Sequence, residues 1–284
     1  MKPILILAKL TFREALRRRI LLAGFVLGIA FLIIYSIGLH FILIQVRQAF
    51  TLRDLPAGQN IMNVESQNTF LMAGLYAITF LSIAMAALLG ADTLAGEINS
   101  GTIQTIATKP IRRADVVLGK WLGFAYLLGL YQILTAGGVV LSMYIQAHYV
   151  PDNLLHGIFL IYLEALIVMT ITLMCSAYFS ALATGGIVFG LYGLAFIGGW
   201  IEQIGAVLQN STAVKIGIIT SLIIPSEALW RRAAYEMQTP LAGVLGISPF
   251  GASSVPSALM VVYAMSYLCV TLMAAIRIFQ KRDL

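Results

Sequence analysis

The sequence predicts an all-α membrane protein with six transmembrane helices in a single transmembrane domain, 1–284, and two observations carry that prediction. Of its residues 60% are hydrophobic and only 11% are charged, with a mean hydropathy of +0.92; about a quarter of the residues in a soluble domain are charged. Stretches without Lys, Arg, Asp or Glu repeatedly exceed the ~20 residues that a helix needs to cross a bilayer. With a fourth span that holds one acidic residue and with charges allowed at the span ends, these stretches place spans at 20–44, 69–90, 120–145, 157–179, 184–202 and 256–277.

The first 19 residues, MKPILILAKLTFREALRRR, have the pattern of an amphipathic helix that precedes the first span. Basic residues recur at every fourth position, at Lys9, Arg13 and Arg17, and apolar residues such as Leu5 and Phe12 follow a neighbouring line. A helix of this kind lies in the membrane interface with its basic face towards anionic headgroups. We therefore predict an interfacial helix over 1–19, with a plain charged anchor as the alternative.

The boundary between the fourth and fifth spans is predicted from a pair of glycines. The charge-free run 165–201 is too long to be the end of one helix. It contains the sequence ATGG at 183–186, and paired glycines weaken a helix and permit a turn. We therefore place the break between the two spans there.

Residues 203–255 are the least regular part of the sequence. Their apolar stretches are too short to span a bilayer, and we predict short interfacial helices on the outer side. One of them begins after Pro225, with Ser226 as its N-cap and Trp230 at headgroup level. Two additional spans are the alternative, although they would bury Lys215 or a pair of arginines.

The distribution of basic residues predicts the orientation. If the N-terminus, the polar loop 91–119 and the C-terminus share one side, that side holds thirteen of the 18 Lys and Arg residues and the other side holds five. Because the side richer in Lys and Arg is cytoplasmic, we predict a multi-pass protein of the cell membrane with both termini in the cytoplasm. The net charge of +6 is thereby assigned to topology, and no nucleic-acid partner is expected.

The loop 91–119 is a dense polar run between two apolar spans, and its core reads GEINSGTIQTIATKPIRRADVVLGKW, from Gly96 to Trp121. Thr102 is placed to cap a short helix that Pro110 ends, and Asp115 is placed to cap the next helix. The short helix carries Ile103 and Ile106 at helical spacing. An apolar face of this kind needs a surface against which to be buried, either a partner protein or the membrane headgroups.

This run resembles the loop between the second and third spans of ABC-2-type transporter permeases, which are exporter-like transmembrane subunits of the type V class. The resemblance extends over essentially the whole chain and is carried by Gly96, Glu97, Gly101, Thr102, Pro110, Arg112 or Arg113, Gly119 and Lys120. It implies that 1–19 is an elbow helix and that 91–119 is a cytoplasmic coupling loop seated on a separate ATPase subunit. The implied contact residues are Gly96, Glu97, Gly101, Thr102, Ile103, Ile106, Lys109, Pro110, Arg112 and Arg113.

The resemblance also implies the composition of the assembly. Two ATPase subunits would serve two permease chains, either as a homodimer or as a related heterodimer, in the lipid bilayer. ATP and Mg²⁺ would be bound by the ATPase, and this chain would hold no cofactor. The chain contains no G-x-x-x-x-G-K-[ST] sequence, so we expect a transport subunit that couples a partner's ATP hydrolysis to export or to force transmission.

Few side chains suggest any other chemistry. No catalytic set and no Cys/His cluster for a metal is evident in the sequence. Glu164 lies inside the predicted fourth span, and an acid at membrane depth is a functional candidate. With Gln132 and Thr135 of the third span it could line a transport path, although such residues also join helices by hydrogen bonds. A secondary, ion-coupled transporter is the alternative function.

Overall fold

The computed structural model describes residues 3–51, 59–91, 93, 96, 112–239 and 254–281, and throughout these ranges the regular structure is helical. The helices are α1 (Pro3–Arg17), α2 (Arg19–Thr51), α3 (Gln59–Ala91), α4 (Arg113–Ala147), α5 (Leu154–Ser176), α6 (Ala181–Val207), α7 (Ser211–Ile223), α8 (Ser226–Met237) and α9 (Ala258–Lys281). Six of them are long and apolar enough to cross a membrane, namely α2, α3, α4, α5, α6 and α9. The predicted all-α membrane fold with six spans is confirmed.

The third spanning helix, α4, begins earlier than the sequence predicts. It starts at Arg113, so 113–119 of the predicted loop 91–119 is helical. Asp115 lies in the first turn, where a negative charge interacts favourably with the helix N-terminus. The prediction that Asp115 is the N-cap is wrong, because Arg112 occupies that position and makes no side-chain cap hydrogen bond.

The break between α5 and α6 lies before the paired glycines. Helix α5 ends at Ser176, and α6 begins at Ala181. Ser180 is the N-cap of α6, and its hydroxyl accepts a hydrogen bond from the backbone N–H of Ala183 at 3.5 Å. The predicted break at 183–186 is therefore wrong, because a side-chain cap starts the helix and the glycines fall inside its first two turns.

Helix α1 packs closely along the first half of α4, and glycines make the approach possible. A Cβ atom on Gly119 would lie 2.5 Å from the Cβ of Leu7, and one on Gly123 would lie 2.8 Å from the backbone oxygen of Ala8. Three basic residues of α1 are exposed, namely Lys9, Arg13 and Arg17. The predicted N-terminal helix is present, and its position in the membrane interface stays a prediction.

The chain bends by 108° between helices α7 and α8. We call this bent pair of short helices the hairpin. The first of them runs antiparallel to α6 at close range, since a Cβ atom on Gly198 would meet the side chain of Thr220 and one on Gly217 would meet Glu202. The second packs against α5 and α3. Trp230 lies against Tyr76 with a ring-centroid distance of 4.9 Å and is buried, so it packs against protein, and its predicted depth at headgroup level stays a prediction. Ser226 is the first residue of α8 rather than its cap.

A buried ion pair fastens this hairpin to α6. The guanidinium group of Arg231 on α8 donates to Oε2 of Glu202 at 2.9 Å, and its second terminal nitrogen lies 2.6 Å from Oε1. Ser221 of α7 accepts a hydrogen bond from the same guanidinium group, and Ser254 donates to Glu202. The pair therefore joins α6, α7, α8 and the segment before α9.

Helix α5 lies at the centre of the bundle. Of the 18 residues in its most apolar stretch, 72% are buried. In the corresponding stretches of α2 and α9 the buried share is 11% and 17%. Helix α5 packs against α3, α4, α6, α8 and α9. Most positions of α5 are therefore enclosed by protein, including that of Glu164, whereas Leu155 and Phe159 near its start are exposed.

We predict that Gly123→Ala destabilises the protein by about 1–3 kcal/mol, because the added methyl group would have to displace the backbone of α1. Gly137→Ala on the same helix is the matched control, since its Cβ atom would meet no described heavy atom within 4 Å. Because Ala favours a helix over Gly by up to about 1 kcal/mol, this control is expected to be neutral or stabilising. Thermal unfolding of the purified variants in lipid nanodiscs measures the two effects. Equal shifts of the unfolding temperature in Gly123→Ala and Gly137→Ala would contradict close packing of α1 on α4.

We predict that Arg231→Met destabilises the protein by about 3–5 kcal/mol, because it leaves the Glu202 carboxylate buried without its counter-ion. Arg232→Met is the matched control: Arg232 is the next residue, pairs with Glu236 and is partly exposed, so its loss costs about 1 kcal/mol or less. The double variant Arg231→Met with Glu202→Met should recover much of the loss. Similar unfolding temperatures for the two single variants would refute the assignment.

Candidate functional site

Most of the predicted ATPase-contact positions lie outside the described residues. These are Glu97, Gly101, Thr102, Ile103, Ile106, Lys109 and Pro110. Three others, Gly96, Arg112 and Arg113, are described, and the last two form the entrance to α4. Contact with an ATPase stays a prediction for all ten.

The entrance to α4 is a basic pair whose two members have different surroundings. Arg112 is exposed and extended, with φ −70° and ψ 137°. The guanidinium group of Arg113 donates to the backbone carbonyl of Gln280 at 3.1 Å. Arg113 therefore ties the start of α4 to the end of α9, while Arg112 remains available at the surface of the described structure.

Directly after this pair, α4 enters a small hydrophobic cluster that joins it to its neighbours. We call this cluster the α4 hub; it comprises Val116, Val117, Leu173, Ala177, Ala275 and Phe279, with Leu7 packed against it. Its members come from α4, from the end of α5 and from α9, and Leu7 belongs to α1. The start of α4 is therefore packed directly against three other helices.

The three predicted transport-path residues face three different neighbours. Gln132 of α4 accepts a hydrogen bond from Ser82 of α3 at 2.7 Å. Thr135 bonds back to the Tyr131 carbonyl of its own helix and faces α2. Glu164 faces α8. The role of these residues in a transport path stays a prediction.

Glu164 lies near the middle of α5, which begins at Leu154 and ends at Ser176. It is fully buried, and neither carboxyl oxygen has a hydrogen-bond partner among the described residues. The carboxyl group of Glu227, in the first turn of α8, is close enough to repel it electrostatically. The first turn of α8 therefore lies at the level of the middle of α5, a spanning helix.

The surroundings of Glu227 are built around its side chain. Tyr76 of α3 donates a hydrogen bond to its carboxyl group, and the indole of Trp200 donates to the Tyr76 hydroxyl. A Cβ atom on Gly199 of α6 would lie 2.2 Å from the Cγ of Glu227. A larger residue at Gly199 would therefore occupy the space in which Glu227 sits.

Sequence reasoning identified Glu164 but missed the residues gathered around it. Glu202 and Glu227 are each 3% exposed and Arg231 is 1% exposed. Two features of the sequence could have indicated them. Glu202 directly follows a long charge-free run, and Glu227 and Arg231 are four residues apart, which places them on one face of a helix. Among the described residues no group of three His, Cys, Asp or Glu side chains is placed to hold a metal ion.

Comparison with known proteins agrees with this architecture. The family described as "ABC-2 family transporter protein" matches residues 5–284. A relative from Pseudomonas aeruginosa, "Probable ABC transporter permease protein NosY", is 33% identical over 81 residues, which cover 28% of this chain and 30% of the relative. The match thus spans less than a third of the curated relative's length. With six membrane-spanning helices and a family match over nearly its whole length, the chain belongs to the ABC-2 family of transporter proteins.

Proposed function

We propose that this chain is the permease subunit of an ATP-binding-cassette transporter, driven by ATP hydrolysis on a separate ATPase subunit. Family membership over residues 5–284 supports a transporter subunit, and the relative from Pseudomonas aeruginosa carries the name of a permease. The observation that carries the proposal is the α4 entrance, where an exposed Arg112 is followed at once by a helix locked into the α4 hub.

The coupling step follows from the stiffness of this connection. A Gly- and Ser-rich linker would absorb a displacement, whereas α4 begins directly at Arg113 and continues to Ala147 without interruption. Over 35 residues it extends for about 50 Å, more than the ~30 Å of the hydrocarbon core. A push on the loop before Arg112 therefore tilts α4 as a rigid body and carries α1, α5 and α9 with it through the hub.

We also propose the partners of this chain and its orientation in the cell membrane. Two copies of the ATPase, which bind ATP and Mg²⁺, serve two permease chains in the cell membrane. The α4 entrance and both termini lie in the cytoplasm, and α1 lies along the inner leaflet with its exposed basic residues towards the headgroups. The thirteen-to-five distribution of Lys and Arg supports this orientation.

We predict that Arg112→Glu weakens association with the ATPase subunit ten- to hundredfold, or about 1.4–2.8 kcal/mol, because it places a like charge in an electrostatically complementary contact. The affinity-tagged chain is purified from its native membrane, and the amount of co-purified subunit with an ATP-binding sequence is quantified by mass spectrometry. Lys215→Glu is the control, since Lys215 is equally exposed on α7 but lies on the side predicted to face outwards.

Two results would contradict this coupling role. One is full recovery of the ATPase subunit together with parental ATP turnover by the Arg112→Glu variant. The other is an equal loss in the Lys215→Glu variant, which would indicate a general effect of charge reversal rather than a contact. Thermal unfolding of the isolated permease should be unchanged for both, because both side chains are exposed.

We predict opposite labelling of two exposed positions by a membrane-impermeant maleimide on intact cells. In a background that lacks Cys175 and Cys269, Asp152→Cys should react, whereas Arg112→Cys should react only after permeabilisation. Both positions are exposed in the structure, so the difference reports the side of the membrane. Labelling of Arg112→Cys in intact cells would overturn the orientation and, with it, the contact with a cytoplasmic ATPase.

A further inference from the structure

The buried polar cluster between α5, α6 and α8 contains more acidic than basic side chains. Glu164, Glu202, Glu227 and Arg231 are each 3% exposed or less. Three carboxyl groups therefore share an interior with one guanidinium group. If all four were ionised, the cluster would carry two uncompensated negative charges.

The single cation of this cluster is already neutralised. Arg231 contacts both carboxyl oxygens of Glu202, at 2.9 and 2.6 Å. Glu202 also accepts a hydrogen bond from Ser254 at 2.7 Å, as expected of an ionised carboxylate. Arg231 attracts Glu227 electrostatically, but within the described part of the chain it forms its close ion pair with Glu202, at 2.6 Å. The excess negative charge therefore falls on Glu164 and Glu227.

These two carboxyl groups lack the donors that an ionised carboxylate requires. Both oxygens of Glu164, and Oε2 of Glu227, are buried without a hydrogen-bond partner in the described part of the chain. The groups that face the pair are Tyr76 on α3, Tyr192 on α6 and Arg231 on α8. Of these, only the Tyr76 hydroxyl donates to the pair.

Burial without donors favours the neutral form of a carboxyl group, and a neighbouring carboxylate favours it further. Two carboxyl groups that are close together satisfy each other when one is protonated, since the protonated oxygen is a donor and the other an acceptor. Among the described residues no three metal-ligating side chains converge here. A proton is therefore the cation that this site fits.

We propose that Glu164 and Glu227 form a proton-binding site, whose two carboxyl groups together hold at least one proton at neutral pH. The site lies at the contact between α5 and the first turn of α8, with Gly199 of α6 leaving the space for Glu227. Release of the proton places like charges across this contact and loosens the hairpin from α5. Proton binding at this site requires neither the ATPase partner nor the coupling function.

Infrared spectroscopy of the full-length protein in nanodiscs tests the site through the C=O stretching band of protonated carboxyl groups. At pH 7 exposed carboxyl groups are ionised, so a band that persists there belongs to a buried, protonated group. We expect the wild-type protein to show it, and Glu164→Gln and Glu227→Gln each to remove or shift it. Glu236→Gln is the matched control, because Glu236 lies on α8 and pairs with Arg232, and it should leave the band unchanged.

Thermal unfolding against pH gives a second readout. Above the ordinary pKa of a carboxyl group the unfolded chain releases its proton, whereas the folded protein is proposed to keep one at this site. The unfolding temperature of the wild-type protein should therefore fall as the pH rises from about 5 to 8. Glu164→Gln removes one titrating carboxyl, so this decline should be smaller, whereas Glu236→Gln should preserve it.

The site is refuted if the wild-type protein shows no protonated-carboxyl band at neutral pH, or if both glutamine variants keep the wild-type band. Removal of the band by a metal salt at constant pH would also refute it, because a metal ion would then be the occupant. If Glu164→Gln does not accumulate in the membrane, the test rests on Glu227→Gln. Loss or shift of the wild-type band in that variant supports the site, and an unchanged band refutes it.

Discussion

The constraint on which this structure depends is that polar groups in the hydrocarbon region of a bilayer have to find their partners inside the protein. Backbone groups do so by forming helices. Hydroxyl groups do so by bonding back to a carbonyl one turn earlier, as in Thr79 to Leu75 and Thr172 to Val168. The ion pair of Glu202 and Arg231 meets the same demand and joins the hairpin to α6.

The same constraint explains how much of the fold the sequence predicts. A run of about 20 apolar residues is required by the thickness of the bilayer, so the number and order of the six spans are evident from composition alone. Their ends are not, since a helix can continue past the hydrocarbon into polar surroundings. Helix α4 does so at Arg113, where local chemistry in its first turn sets the boundary. The start of α6 likewise follows from Ser180, although the glycines nearby give a stronger pattern.

The candidate site was predictable only in part, because it depends on contacts between distant segments. Glu164 is visible as an acid in an apolar run. Its relation to Glu227 depends on the hairpin folding inwards, which sequence periodicity does not reveal. Trp230 illustrates the difficulty: a Trp near apolar stretches is typical of the membrane interface, yet here it fills the core beside Tyr76. For the loop before Arg112 the prediction rests on sequence resemblance, since 97–111 lie outside the described residues.

Helix α5 connects the two parts of the molecule that carry the functional argument. Its end contributes Leu173 to the α4 hub, and its middle carries Glu164 at the contact with α8. These two residues are nine positions apart, or about 14 Å along a helix, and α5 is regular between them. In the proposed coupling, a displacement of the α4 entrance would therefore reach the Glu164–Glu227 contact along one continuous helix. Because the part of α5 between these two residues is mostly buried and close-packed, we expect it to shift or tilt as a unit, which would link the hairpin to the α4 entrance in the proposed coupling.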